Sequence, residues 1–209
     1  MVSASIERAQ AEAPFPIGHG VFVAVAGPSG AGKDSVMDYA RGRLGSHSDD
    51  IVFIRRIITR PMEPGSEVHD TLDDDAFAKA EAEGRFAASW RANGLAYGIP
   101  AEADDIVRSG RVVVANVSRG AMGALRGRYH HFLPVIVTAP PAILAERLSA
   151  RGRESREEVL ARLERAADRS LQVRDAVVIE NSGPLEEAGE KFLEVLRKAA
   201  AWSDVCDMV

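Results

Sequence analysis

With a single cysteine, Cys206, the chain of 209 residues has no internal disulfide to staple it, a usage that suits a reducing cytoplasm. Lysine is almost as scarce, at four against twenty-two arginines. Arginine's planar fork suits bidentate grips on phosphate, although most of the excess goes with a general abundance of Ala and Arg. A net charge of −5 argues against a general nucleic-acid binder. No apolar run approaches the length of a membrane span, and Met1 to Gly20 lacks the apolar centre of a signal peptide, so a loose tail is expected there. The five histidines, among them the pair His130-His131, have no H-E-x-x-H or C-x-x-C companion and read as structural or exposed rather than as metal ligands. What is plentiful is ordinary: 46% hydrophobic and 27% charged residues are enough to bury the core of one α/β domain with small insertions, not of two full domains.

Against this background one stretch stands out, Gly27-Pro28-Ser29-Gly30-Ala31-Gly32-Lys33-Asp34-Ser35. It fits the phosphate-cradling pattern G-x-x-x-x-G-K at every fixed position but the one after the lysine. A continuous apolar run, Val21 to Ala26, precedes it and reads as a buried strand, and Val36 to Leu44 can follow as a helix. Glycines let the backbone curl so that its N–H groups and the positive helix end face phosphate oxygens, and Lys33 adds a mobile cation. The reading is a polyphosphate site made by Gly27 to Ser35. The Ser or Thr that usually ligates Mg²⁺ after the lysine is here Asp34, with a hydroxyl one place later at Ser35. A bare anion would repel triphosphate, so Asp34 argues for a metal, held by Asp34 or Ser35 directly or through water.

Further β-rich runs at Ile51-Ile54, Val112-Ala115, Pro134-Thr138 and Ala176-Ile179 alternate with helical patterns. This predicts an α/β fold with a five-stranded, mostly parallel sheet, helices on both faces and ligands at the carboxyl ends of the strands. Ser155-Arg156-Glu157-Glu158 is a capping box, and a last helix from about Pro184 has Leu185, Ala188, Phe192, Val195 and Ala199 on one face. The expected organisation is a tail over 1–20 and one α/β domain over 21–209. Its core is 21–59, 104–146 and 166–209, with a substrate-binding insertion over 60–103, and the resemblance to a known family given below implies a short helical lid over 147–165. Asp73-Asp74-Asp75 in the insertion reads as the acidic first turn of a helix rather than as a metal site.

Taken together, the phosphate loop, Thr59-Arg60-Pro61 with Pro64-Gly65-Ser66-Glu67, Gly94-Leu95-Ala96-Tyr97-Gly98, Arg147-Leu148-Ser149-Ala150-Arg151-Gly152, Glu157 to Leu163 and Asn181 resemble guanylate kinases along most of the chain. The differences concentrate where that family reads the guanine base. Its glutamate falls at Ala88 within Phe86-Ala87-Ala88-Ser89-Trp90, and its Asp-x-Asp segment falls at Ala115-Asn116-Val117. Its tyrosine stretch falls at His69 to Asp73, and its second phosphate-binding arginine at Glu63. Loss of buried polar partners removes such recognition, so an acceptor other than GMP is implied. The combination of Gly-Lys-Asp-Ser, Thr-Arg-Pro and the arginine lid is similar to the ribose 1,5-bisphosphate phosphokinases of phosphonate degradation, which make 5-phosphoribosyl 1-diphosphate and ADP.

That resemblance implies ATP as donor, Mg²⁺ as cofactor, Lys33, Arg151 and Arg162 as catalytic cations, and Arg60, Tyr97 and Arg119 as acceptor ligands. Each has a plainer reading: Arg162 could be a solvated helix residue, Tyr97 a packing residue, and Asn181 either an adenine contact or a turn cap. The alternatives are a divergent nucleoside monophosphate kinase and, in another class, a guanylate-kinase-like protein-binding module without catalysis. Small-molecule substrates, no nucleic acid and no membrane are expected, with oligomeric state left open.

Overall fold

The structure, a computed structural model, describes residues 16–60, 70–150 and 173–206. The elements in chain order are β1 (Val21–Ala26), α1 (Lys33–Arg41), β2 (Ile51–Ile54), β3 (Ile57–Ile58), β4 (Asp70–Thr71), α2 (Asp74–Ala82), β5 (Phe86–Ala92), β6 (Leu95–Pro100), α3 (Glu102–Arg108), β7 (Val112–Asn116), α4 (Met122–Arg128), β8 (Phe132–Thr138), α5 (Pro141–Ser149), β9 (Val177–Glu180) and α6 (Leu185–Cys206). Five strands form one sheet in the order β2-β7-β1-β8-β9, and every pairing in it is parallel. The strands are the five apolar runs of the sequence, with β7 one residue longer at its end, β8 two residues longer at its start and β9 displaced by one residue at each end.

A strand buried on both faces needs apolar residues at every position, and β1 is buried throughout. Its alternate side chains serve two cores. Val21, Val23 and Val25 join Val36 and Ala40 of α1 and Phe192 and Leu196 of α6 on one face. Phe22, Ala24 and Ala26 join Val107 of α3, Leu125 of α4 and Tyr129 on the other. Each large apolar side chain so buried contributes about 1.5–3 kcal/mol. The face of α6 is wider than its sequence pattern suggests, because Leu193, Leu196 and Ala200 are buried beside Ala188, Phe192 and Ala199.

The chain leaves β1 toward β7 and β2 and leaves β8 toward β9, so the connections diverge at the carboxyl ends of β1 and β8 and a crevice opens there. The chain between β2 and β7 forms a second, four-stranded sheet in the order β4-β3-β6-β5. Its hairpin, β5 to β6, turns at Asn93-Gly94, both with positive φ, which is the tight turn whose twist matches paired strands. The Asp73-Asp74-Asp75 run opens α2: Asp73 is the N-cap and accepts from Ala76 N at 2.7 Å, and Asp74 and Asp75 sit in the first turn. The capping box at 155–158 and residues 151–165 of the expected lid lie outside the described residues. Among the described residues no helix is long and apolar enough to cross a membrane.

Candidate active site

The site begins with a steric constraint at the end of β1. Gly27 has φ +152°, and a Cβ there would lie 1.9 Å from the Val137 carbonyl oxygen of β8. Gly32, with φ +80°, opens α1, and its Cβ would lie 2.5 Å from Asn181 Nδ2. Only glycine meets both demands, of backbone angle and of space. No side chain caps α1 at Gly32, so the first backbone N–H groups of the helix are turned outward at its positive end. Lys33 bends back over the loop and donates from Nζ to the carbonyls of Gly27 and Pro28, at 3.2 Å each. The ammonium is thereby held at the loop's mouth.

Groups distant in sequence complete this end of the sheet. Asn181, just past β9, is 4% exposed. Its backbone N–H donates to Thr138 O at 2.7 Å and its side-chain Nδ2 to Ala31 O at 2.8 Å. These two bonds tie the phosphate loop to the sheet. Arg147, near the end of α5, brings Nη1 to 3.5 Å from Gly30 O, adding a second cation beside the loop. Asp34 is exposed in the first turn of α1, and its Oδ1 accepts from Nδ2 of Asn116 at 3.0 Å. Ser35 is exposed beside it. One carboxylate and one hydroxyl are a donor set that fits magnesium, which takes few protein ligands and completes its shell with water and substrate phosphates.

The small sheet carries the residues expected to meet the acceptor. Thr59 N donates to Ala96 O at 3.0 Å, and Thr59 Oγ1 accepts from Ala96 N at 2.9 Å, which ties the residue before Arg60 to β6. Tyr97 stacks on Trp90, ring centroids 5.5 Å apart and nearly coplanar in tilt at 4°. The guanidinium of Arg56 lies 5.3 Å from the Tyr97 ring centre. Arg56 was not singled out in the sequence; its place, two residues past β2 at the carboxyl edge of the sheet, is the signal that could have found it. Ala88 is on the face of β5 that carries Trp90. Ser89 and Arg91, on the opposite face, bond Glu81 of α2. Burial alone would raise the Glu81 carboxyl, but these two donors outweigh it and hold it below its ordinary range. Glu81 is therefore engaged on the face opposite Ala88. Arg119 is exposed, in a single 3-10 turn after β7 that packs against β5 and is capped by Ser118. Arg151 and Arg162 lie outside the described residues.

The largest perturbation of ionisable groups is elsewhere. At the amino end of β1, Asp104 is buried, bonded by Arg128 Nε at 2.9 Å, by Arg128 Nη2, and by the Tyr129 hydroxyl at 2.8 Å. Burial, then the Asp104 charge, push the Tyr129 phenol far above its ordinary range, and the Asp104 bond raises Arg128. Tyr129 stacks on Phe22 at 4.5 Å. This is a closed cluster with its charges paired internally, and it faces no part of the loop.

Comparison with known proteins bears on the family and the fold. A family model described as AAA domain matches residues 23–169. A relative from Chelativorans sp. (strain BNC1), named ribose 1,5-bisphosphate phosphokinase PhnN, is 68% identical over 209 residues, covering 100% of both chains. Another of that name, from Brucella melitensis biotype 2 (strain ATCC 23457), is 49% identical over 181 residues, 87% of this chain and 94% of its own. Among solved structures, guanylate kinase from Anaplasma phagocytophilum superposes with a TM-score of 0.62 at 17% identity, over 86% of this chain and 85% of that one. At that identity the likeness is one of fold.

Proposed function

We infer, because the chain belongs to the ribose 1,5-bisphosphate phosphokinase family and to the wider AAA domain family, that it is an ATP-dependent phosphotransferase acting on ribose 1,5-bisphosphate. The products are 5-phosphoribosyl 1-diphosphate and ADP. The observation that carries the reading is a glycine loop with Lys33 held at its mouth, together with an alanine, Ala88, where the base-reading carboxylate of guanylate kinases falls.

An oxygen of the C1 phosphate attacks the γ-phosphorus of ATP, a new P–O bond forms, and the bond to the β–γ bridging oxygen breaks with its electron pair leaving on ADP. The attacking oxygen is already anionic near neutral pH, so no general base has to take a proton. The obstacle is repulsion: two unit charges about 4 Å apart oppose each other by roughly 4 kcal/mol at an effective dielectric near 20. In this reading Lys33 and the N–H groups of residues 30–35 hold the donor phosphates, and Arg147 neutralises the loop's flank. Arg60 and Arg56 grip the acceptor over the Tyr97 ring, with Arg119 at its second phosphate. Arg151 and Arg162 supply the remaining cations from the lid. Asp34 and Ser35 would hold Mg²⁺, which would supply positive charge to offset that of the donor phosphates.

The test is ADP release with ribose 1,5-bisphosphate as acceptor and GMP in parallel. Turnover of the sugar bisphosphate with none of GMP is expected. Turnover of GMP alone would make the chain a divergent guanylate kinase, and failure to bind ATP with Mg²⁺ would make it a binding module.

A further inference from the structure

The metal end of this site departs from the usual P-loop arrangement at two positions, and the structure brings the two together. In P-loop enzymes generally, Mg²⁺ is held by a loop hydroxyl directly after the lysine and by a carboxylate at the end of a neighbouring strand. Here the residue after the lysine is the carboxylate, Asp34. At the end of β7, the strand next to β1, stands a neutral amide, Asn116. Asn116 is in register with Val25, two residues before the phosphate loop, and is 5% exposed. Its Nδ2 donates to Asp34 Oδ1 at 3.0 Å across 82 residues of sequence.

The physics makes the two departures one. A carboxylate at 116 would meet that of Asp34 at hydrogen-bond distance, and like charges so close cannot both ionise without a large penalty. Once the loop carries the charge, the strand has to offer a neutral donor. An amide does so, its Nδ2 being bonded to Asp34 Oδ1. We propose that Asn116 is a positioning residue that fixes the Asp34 carboxylate for a divalent cation, the charged and neutral members of the usual metal pair being exchanged between strand and loop. The proposal rests on the kinase reading above.

The test uses the full-length chain with ADP and no acceptor, so that nothing turns over, and Mn²⁺ as the probe, its free fraction read by electron paramagnetic resonance. Asn116→Ala is expected to weaken Mn²⁺ binding to the ADP complex by about 10-fold, the usual size for a residue that orients a metal ligand, while ADP binding without metal is unchanged. Asp34→Ser and Asn116→Asp are each expected to lose at least as much. The double variant Asp34→Ser/Asn116→Asp, which restores the common arrangement, is expected to recover to within about threefold of the parent, a coupling that a merely structural contact would not give. This double variant keeps both positions polar and carries the test should Asn116→Ala fail to fold. Mn²⁺ affinity unaffected by Asn116→Ala, or a double variant no tighter than the weaker single one, would overturn the exchange. A parent chain that takes up no ADP would overturn the kinase reading itself.

Discussion

The two ends of β1 are built on opposite electrostatic plans. At the amino end Asp104, Arg128 and Tyr129 are packed together and satisfy one another. At the carboxyl end the helix N-terminus lacks a side-chain cap, Lys33 rests on loop carbonyls and Asp34 is exposed. The most shifted phenol of the described residues, Tyr129, belongs to the closed end. Structural ion-pair clusters perturb ionisation as functional sites do, and in the proposed reading it is the other, open end that works.

Substitutions sharpen this contrast. The largest effect is expected for Lys33→Ala, a fall in kcat/KM of about a thousandfold or more, some 4 kcal/mol of transition-state stabilisation. Its thermal midpoint should stay close to that of the parent, since the residue works on phosphate rather than in the core. A large loss of stability with little change in kcat/KM would erase the distinction between the ends. Asp104→Ala is the mirror case, leaving Arg128 and Tyr129 without their shared partner. It should cost about 3 kcal/mol in denaturant unfolding, with the kcat of the folded protein retained.

Within the working end, Arg56→Met should raise KM for the bisphosphate about 10- to 30-fold, as expected for one charge-assisted contact, and leave KM for ATP alone. Equal rises in both would move Arg56 from the acceptor wall to the donor site. Asn181→Ala releases Ala31 O and should cost about 1–2 kcal/mol of stability while raising KM for ATP, a joint signature that separates a loop pin from an adenine ligand. The smallest effect is at the closed end. The Tyr129 phenol is raised in the folded protein, so its contribution to stability is complete below about pH 10, the unfolded value, and is lost above it at up to about 1.4 kcal/mol per pH unit. Tyr129→Phe should flatten the alkaline limb of a stability profile measured between pH 9 and 11, and an unchanged limb would contradict the assignment.

How far the sequence reveals these features follows from where the determining contacts lie. The five main strands are legible because burial on both faces demands continuous apolar residues, as in Val21 to Ala26. The phosphate loop is legible because its constraints act between near neighbours. The small sheet is harder: β3 and β4 have two residues each, and β5 and β6 contain Ala, Ser and Gly rather than an apolar alternation. Its one strong local signal is the Asn93-Gly94 turn. Asn116, Arg147 and Asn181 were beyond local pattern in their roles, since their bonds span 82, 117 and 150 residues. Asn181 could be noticed as a residue, but its attachment to Ala31 depends on β9 lying beside β8.

The central claim is tested most directly by phosphorus NMR of the full-length chain with MgATP and ribose 1,5-bisphosphate. The account predicts that, as the terminal phosphate of ATP disappears, a new coupled diphosphate pair on the sugar grows in equal proportion to ADP. ADP accompanied only by inorganic phosphate, or ATP left intact with the sugar bisphosphate but consumed when GMP replaces it, would contradict it.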